Sequence, residues 1–438
     1  MTRLEVRLEA DAASILRVGQ LALHRRRIYF EFDPDFLAGG VELSPLRLPA
    51  GPGLHTCEEV HLKGLPGVFD DSLPDGWGRL LMDRALVSRG VRVAELSPLD
   101  RLAYLGRATM GALTYHPCTE GDAASEAIDL QALATQALAV YEGRATEVLP
   151  ALRRAGGSPG GARPKVLIGL SGERVVTGID PLPDGYTPWL VKFATRDDPA
   201  NTGPLEYAYA RIARAAGLEV PEVRLLELAG GERCFAVRRF DRVDGRRVHV
   251  HSLAGLLHAD YRLPNLDYED LLRVALALTR NHQSARECLR RAIFNLLAHN
   301  RDDHGKNASF LIGPDGGWTL APAYDLILAE GPGGEHTMTY HGEGRRPTGA
   351  QVERMAARAS IDGDDARGIL DEVRAGLGRW SREARAAGLP AAQAREVAER
   401  HAEVAAAAGL PPPRRPARST RARSTGGRGR PPRGRTAS

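Results

Sequence analysis

Apolar and polar residues alternate early in the chain and take up helical spacing later. Leu4-Glu5-Val6-Arg7-Leu8 and Ile28-Tyr29-Phe30-Glu31-Phe32 put every second side chain on one face, the two-residue period of a half-buried strand. After a Gly/Pro-rich stretch near Gly51-Pro52-Gly53, Leu73-Pro74-Asp75-Gly76 reads as a turn that opens a helix. Trp77 and Leu81 then fall one turn apart on one face. Residues 1–118 are thus expected to form short strands plus one helical segment. Residues 119–150 are Ala-rich and helical, as in Leu130 to Tyr141, and no internal repeat is visible.

A Gly-rich segment ending Gly160-Gly161-Ala162-Arg163-Pro164-Lys165 leads into strand-like Val166-Leu167-Ile168-Gly169. A second strand is expected at Trp189 to Phe193, a helix at Leu205 to Ala216, and two more strands around Arg224 to Leu228 and Cys234 to Phe240. From about Tyr268 the chain turns helical. Within residues 284–299, Leu289, Ala292, Ile293, Leu296 and Leu297 form a stripe that delivers the chain to Asn300. Ala308 to Ile312 and Trp318 to Leu320 then flank a hairpin turn at Gly313 to Gly317. Strands first and helices later predict an α+β fold in two lobes, preceded by a mixed amino-terminal subdomain. The expected boundaries are 1–118 for that subdomain, 119–265 for a sheet lobe, 266–410 for a helical lobe and 411–438 for a tail.

The densest chemistry lies in Asn300-Arg301-Asp302-Asp303-His304-Gly305-Lys306-Asn307, followed past the hairpin by Tyr324-Asp325. Phosphoryl transfer from a nucleotide needs one carboxylate to accept the proton of the attacking hydroxyl. It also needs an amide oxygen and a second carboxylate to hold magnesium. Asp302 and Asn307 have the spacing of Asp and Asn in the protein-kinase catalytic loop. Asp302 is therefore the expected base, Asn307 and Asp325 the expected magnesium ligands, and Lys306 a cation that offsets charge on the transferred group. His304 is expected to bond backbone. The competing reading is a solvated polar loop with ordinary turn chemistry.

Lys192 lies between Val191 and Phe193 on an expected buried strand, where an ammonium is costly unless anions meet it. Phosphate oxygens would serve, and Glu206 on the following helix could hold the lysine in place. The segment Gly157 to Lys165 is either a phosphate cradle, with Arg163 and Lys165 as cations, or a linker, since it matches neither standard glycine fingerprint. Ser158 is either an ordinary loop serine or a regulatory phosphosite. His249 and His251 suit alternation on a strand better than a metal site.

Composition narrows the setting. The 438 residues are 43% hydrophobic, ample for a core, and contain no apolar run of membrane-spanning length. Cys57, Cys118, Cys234 and Cys288 show no pairing pattern, and no signal peptide is visible, so a reducing cytoplasm is expected. The net charge of +4 comes from the tail. Pro411 to Ser438 holds nine arginines and no acid, and without them 50 basic residues face 55 acidic ones. That tail is expected to be disordered, serving either as a solubilising extension or as an arm that grips nucleic acid.

Together, Ser158 to Lys165, Trp189-Leu190-Val191-Lys192-Phe193, Arg239-Phe240-Asp241-Arg242, Asn300 to Asn307 and Pro322-Ala323-Tyr324-Asp325 resemble the HipA family of serine/threonine kinase toxins. Leu73 to Trp77 resembles that family's amino-terminal subdomain. The resemblance implies a two-lobed, ATP- and magnesium-dependent protein kinase that phosphorylates an aminoacyl-tRNA synthetase and halts growth. It implies a HipB-like helix-turn-helix antitoxin as partner, with DNA reached through that antitoxin, and no membrane. It assigns Asp302 as catalytic aspartate, Asn307 and Asp325 as metal ligands, Lys192 as the ATP lysine and Gly160, Gly161, Ala162, Arg163 and Lys165 as the phosphate loop. Arg238 and Phe240 fall at the hinge, His304 and Tyr324 beside the nucleotide, and Ser158 at the autophosphorylated serine. The family loop usually carries Gln-Glu-Lys where this chain has Arg163-Pro164-Lys165, and Arg238 stands where glutamate is frequent. An aminoglycoside-type phosphotransferase and a catalytically idle, DNA-linked co-repressor are the alternatives.

Overall fold

Alternating apolar residues in the first hundred positions close one face of an antiparallel sheet. In the computed structural model, β1 (Thr2–Asp11), β2 (Ser14–His24), β3 (Arg27–Phe32), β4 (Leu54–His55) and β5 (Leu113–His116) order as 4-3-2-1-5. The residues described are 2–119, 125–145, 147–156, 160–199, 201–313 and 316–414. Ser158, its neighbours Gly157 and Pro159, and residues 415–438 of the basic tail lie outside them. Leu4, Val6, Leu21, Phe30, Phe69 and Tyr115 pack into one buried cluster beneath this sheet. Alternation fails to announce β2 because its pairing with β1 slips: Val6 faces Gly19 but Arg7 faces Arg17. Val18 is the extra residue, and such a bulge reverses the in/out phase. A second unexpected element is the helix Pro98–Leu105, whose capping box joins Ser97 and Asp100.

The second sheet runs β7-β6-β8-β10-β9, with β6 (Lys165–Ser171), β7 (Arg174–Thr177), β8 (Thr187–Lys192), β9 (Val223–Glu227) and β10 (Arg233–Arg238), all antiparallel. Val166, Ile168, Trp189 and Val191 meet the helices Leu130–Tyr141 and Pro150–Gly156. The same cluster contains Trp77 and Leu81, both fully buried. The helix Gly76–Val87, expected within the amino-terminal subdomain, therefore buries its apolar face in the sheet lobe. The helix Thr202–Ala215 packs on β9 and β10 and carries Leu205, Tyr209 and Ile212 into the core of the helical lobe.

Next come the short ribbon of β11 (Arg242–Val243) and β12 (Arg246–Arg247), then β13 (His249–Ser252), β14 (Leu266–Asp267), β15 (Ser309–Ile312), β16 (Trp318–Leu320) and β17 (Met338–Thr339). β13, β15 and β16 form a third antiparallel sheet, while β14 and β17 pair in parallel. The helical lobe is built on Tyr268–Thr279 and His282–Leu297, with Gly349–Arg358, Gly363–Leu377, Trp380–Ala386 and Ala391–Ala407 around them. Sheets precede helices, as the α+β expectation required. Among the described residues no helix is long and apolar enough to cross a membrane.

Two buried polar clasps join the amino-terminal subdomain to the rest. Asp241 accepts two hydrogen bonds from Arg239, one from Arg242 at 2.7 Å and one from the Gly111 N–H at 2.8 Å. Arg242 and Arg247 also donate to the carbonyl oxygens of Thr109 and Gly111. These cations hold the Asp241 carboxyl far below the usual range, outweighing its burial. In the second clasp His251 bonds Asp71 at 2.7 Å and Ser44 at 2.9 Å. That order has the look of a hydrolase triad, but Ser44 and His251 are fully buried, so the chain of bonds is structural.

Removing Asp241 strips the buried Arg239 of its counter-charge and leaves Arg242 with Asp180 alone. Asp241→Ala should cost about 3–5 kcal/mol of stability, read as a lower urea midpoint.

Candidate active site

The segment Asn300 to Asn307 begins just after the helix His282–Leu297 stops. Asn300 donates through Nδ2 to Asn295 Oδ1 at 3.0 Å, which ties the first residue of the loop to the helix before it. Asp303 is directed inward. Its buried carboxylate receives Tyr268 Oη at 2.9 Å and the Thr337 N–H at 2.8 Å, and lies 2.7 Å from His336 Nδ1. Neighbouring residues of an extended segment point to opposite sides. With Asp303 locked inward, Asp302 faces the cleft, 54% exposed. The cleft walls still withdraw water from this carboxylate and raise its pKa; Asp325 and Asp303 add to the shift, and His304 opposes it.

Asn307 donates its side-chain N–H to the Asp302 carbonyl at 2.8 Å, so the amide oxygen is the atom left to meet a cation. Tyr324 donates to the Lys306 carbonyl at 2.6 Å and sits 2.6 Å from Ser309 Oγ, which binds the segment after the hairpin to the catalytic loop. Asp325 follows in a left-handed conformation with φ +57°. Its carboxylate is hydrogen-bonded to Lys192 Nζ, and Glu206 Oε1 meets the same ammonium at 2.5 Å. Burial disfavours charge on Lys192, but the two carboxylates outweigh it and raise its pKa. The two acids divide unequally. Burial pushes Glu206 up, while Lys192 and Lys165 hold Asp325 far below the usual range despite its burial.

Lys165 stands opposite Lys192 in the β6–β8 register and donates through Nζ to the Gly160 carbonyl at 2.6 Å. Burial, with Lys192 beside it, lowers its pKa. Arg163 is engaged by Asp198 at 2.8 Å. Arg238 is exposed and lies 3.7 Å from Glu222, and Phe240 tilts against Tyr324 with ring centroids 5.4 Å apart. His304 departs from expectation. Its Nδ1 has no hydrogen-bond partner, its Nε2 lies 3.9 Å from Asp302, and its ring meets Tyr261 edge-on at 5.3 Å. Aromatic contact, not a backbone bond, holds it. His249 and His251 share one face of β13; the former packs edge-on to Trp318, and the latter belongs to the buried clasp.

All fifteen described candidates line one cavity of about 660 Å³. Its lining includes the apolar Leu190, Val220, Val223, Phe235 and Leu326 as well as the polar Asp302, Lys306 and Asn307. Residues not foreseen in the sequence come from the amino-terminal subdomain and from the loop after residue 258. Lys306 Nζ lies 3.8 Å from Asp70 and 3.9 Å from Asp75, over the Tyr261 ring at 4.7 Å. Burial opposes its charge, but Asp70, Asp71 and Asp75 outweigh it and raise its pKa. Three aspartates within six residues were the available signal, but their reach into the cleft was not legible. Asn307 and Asp325 supply hard oxygen donors of the kind magnesium takes when phosphates complete its shell.

Two family models match the chain: the HipA N-terminal domain over residues 12–116 and the HipA-like C-terminal domain over residues 157–408. A Sinorhizobium fredii protein named provisionally as kinase Y4dM is 30% identical over 278 residues, 60% of this chain and 62% of that protein. A Haemophilus influenzae protein, also named provisionally as a kinase, is 31% identical over 136 residues, 28% of this chain and 40% of its own length. The chain thus spans less than two thirds of either relative. Among solved structures, the complex of Shewanella oneidensis HipA, HipB and operator DNA contains a chain that aligns with a TM-score of 0.68 at 19% identity. The alignment covers 93% of this chain and 98% of that one, and it establishes a shared fold.

Replacing Lys192 would leave the buried Glu206 and the half-buried Asp325 carboxylates facing each other without their shared cation. Lys192→Met should destabilise the protein by about 3–5 kcal/mol at neutral pH. Glu206, already raised by burial, would rise further and Asp325 would lose the main cause that holds it down, so the deficit should shrink as the pH falls and one acid takes up a proton. Thermal melts of both proteins at pH 7 and pH 5 check this.

Proposed function

This chain belongs to the HipA family, and from that premise we propose that it is an ATP- and magnesium-dependent protein serine/threonine kinase, the toxin of a HipBA-like pair. The observation that carries the reading is the convergence of Lys192, Glu206, Asp325, Asn307 and Asp302 on one cavity. The apolar lining residues Leu190, Val220, Val223, Phe235 and Leu326 suit a purine base. Lys192, steadied by Glu206, is placed to hold phosphate oxygens, with Lys165 and the glycine-rich loop beside it. Asn307 and Asp325 would hold magnesium, which when bound neutralises phosphate charge. A protein hydroxyl entering at the open carboxylate passes its proton to Asp302 as its oxygen bonds to the γ-phosphorus. The bond from that phosphorus to the ADP oxygen breaks, and Lys306 offsets the charge on the transferred group.

The proposed protein substrate is an aminoacyl-tRNA synthetase, whose phosphorylation would inhibit translation. The proposed partner is a HipB-like helix-turn-helix antitoxin in the cytoplasm, with DNA approached through it. Autophosphorylation at Ser158 would add a dianion to the loop that carries Arg163 and Lys165 and pull that loop away from the nucleotide.

Intact-mass analysis after incubation with magnesium-ATP tests the reading. The expected result is added phosphate on the parent protein, mapped to Ser158, and none on Asp302→Asn. Loss of the base should slow transfer by about 10²–10⁴-fold. Phosphate on a supplied small molecule, with none on protein, would instead favour the aminoglycoside-type alternative. The acid limb offers a second check. The raised Asp302 pKa means that the base form is lost on acidification at a pH above the ordinary carboxylate value of about 4. An initial-rate profile from pH 4 to 8 should fall on that side.

A further inference from the structure

We propose that Asp75 is a positioning residue for nucleotide binding, by which the amino-terminal subdomain ties the glycine-rich loop to Lys306 of the catalytic loop. The inference rests on the kinase reading above. One carboxylate spans the cleft: Oδ1 accepts the Gly161 N–H, and Oδ2 lies 3.9 Å from Lys306 Nζ. Asp70, at 3.8 Å, and the Tyr261 ring, at 4.7 Å, hold the same ammonium from its other sides.

Asp75 is no mobile flap, because the two residues after it are fixed to the same loop. The Trp77 N–H donates to the Gly161 carbonyl at 2.9 Å, and the indole Nε1 donates to the Lys165 carbonyl at 2.8 Å from a fully buried ring. Gly76 has φ +37°, and a Cβ there would lie 2.6 Å from the Gly161 oxygen and 2.7 Å from Ala162 Cα. Only glycine permits that approach. The carboxylate is therefore tied to the loop and shapes it.

A loop this rich in glycine loses much conformational freedom when it closes on a ligand. Fixing it beforehand lowers that cost. A charge-assisted bond from Asp75 to Gly161, set between two backbone contacts, supplies the fixing. Lys165 Nζ on the Gly160 carbonyl grips the other end of the same peptide group from the sheet side.

The test uses the full chain. Parent, Asp75→Asn and Asp75→Ala are titrated with magnesium-ATP by calorimetry, and hydrogen exchange is followed over residues 160–165 without nucleotide. Asparagine keeps an oxygen for the Gly161 N–H; alanine does not. Asp75→Ala should raise the dissociation constant by about tenfold, speed exchange in that segment and raise KM for ATP more than it changes kcat. Asp75→Asn, which keeps the acceptor but loses the charge toward Gly161 and Lys306, should fall between the parent and Asp75→Ala in affinity and protection. Gly76→Ala, which forces the loop aside with Asp75 intact, should weaken binding to a similar degree and serves should the Asp75→Ala variant not fold. ATP bound as tightly as by the parent, or more tightly, with unchanged exchange overturns the proposal, and tighter binding would mark Asp75 as a rival for the phosphate seat. A parent that binds no magnesium-ATP brings down the kinase reading instead, which separates the two failures.

Discussion

A single, largely enclosed ammonium organises the centre of this protein. Lys192 sits at the end of a sheet strand where its charge would be untenable alone, and carboxylates from two directions meet it. Glu206 comes from the helix that bridges the lobes, and Asp325 from the segment after the hairpin of the helical lobe. The need to neutralise one charge therefore brings together sheet, bridging helix and helical lobe. It also leaves Asp325, which stays ionised, at the point where a cation could be received.

The loop around Asp302 is held by groups that do no chemistry themselves. Asp303, Tyr268, His336 and Asn295 form a buried network in which the partners of Asp303 come from two separate segments of the helical lobe. Such networks are rigid when fully satisfied. Rigidity on the inner side lets Asp302 remain open to the cleft on the outer side. Tyr324 has the corresponding task for Lys306, holding its backbone while the ammonium extends toward Asp70 and Asp75.

The amino-terminal subdomain is part of this machinery. Its helix Gly76–Val87 buries Trp77 and Leu81 in the sheet lobe, the Asp241 clasp fastens residues 107–111, and Asp71 joins His251 and Ser252. Through these joints its aspartates face the catalytic loop. Buried charges of this kind contribute specificity of assembly more than net stability, since their desolvation offsets much of their attraction.

Local patterns revealed much of this molecule in advance. The helix Leu130–Tyr141, the return strand Trp318–Leu320, the α+β class and the Asp302-to-Asn307 spacing were legible because periodicity, turn residues and motif spacing act over a few residues. β2 was not, because its bulge breaks the alternation that announces a strand, and the exposed Ile15 and Leu16 blur it further. Nor was the reach of Asp70 and Asp75 to Lys306, more than two hundred residues away, or the aromatic seat of His304. Those contacts depend on how whole faces dock, and the free energy of docking is summed over residues far apart in the chain. A short window of sequence carries the chemistry of each side chain, while only the folded packing decides which of them share one cleft.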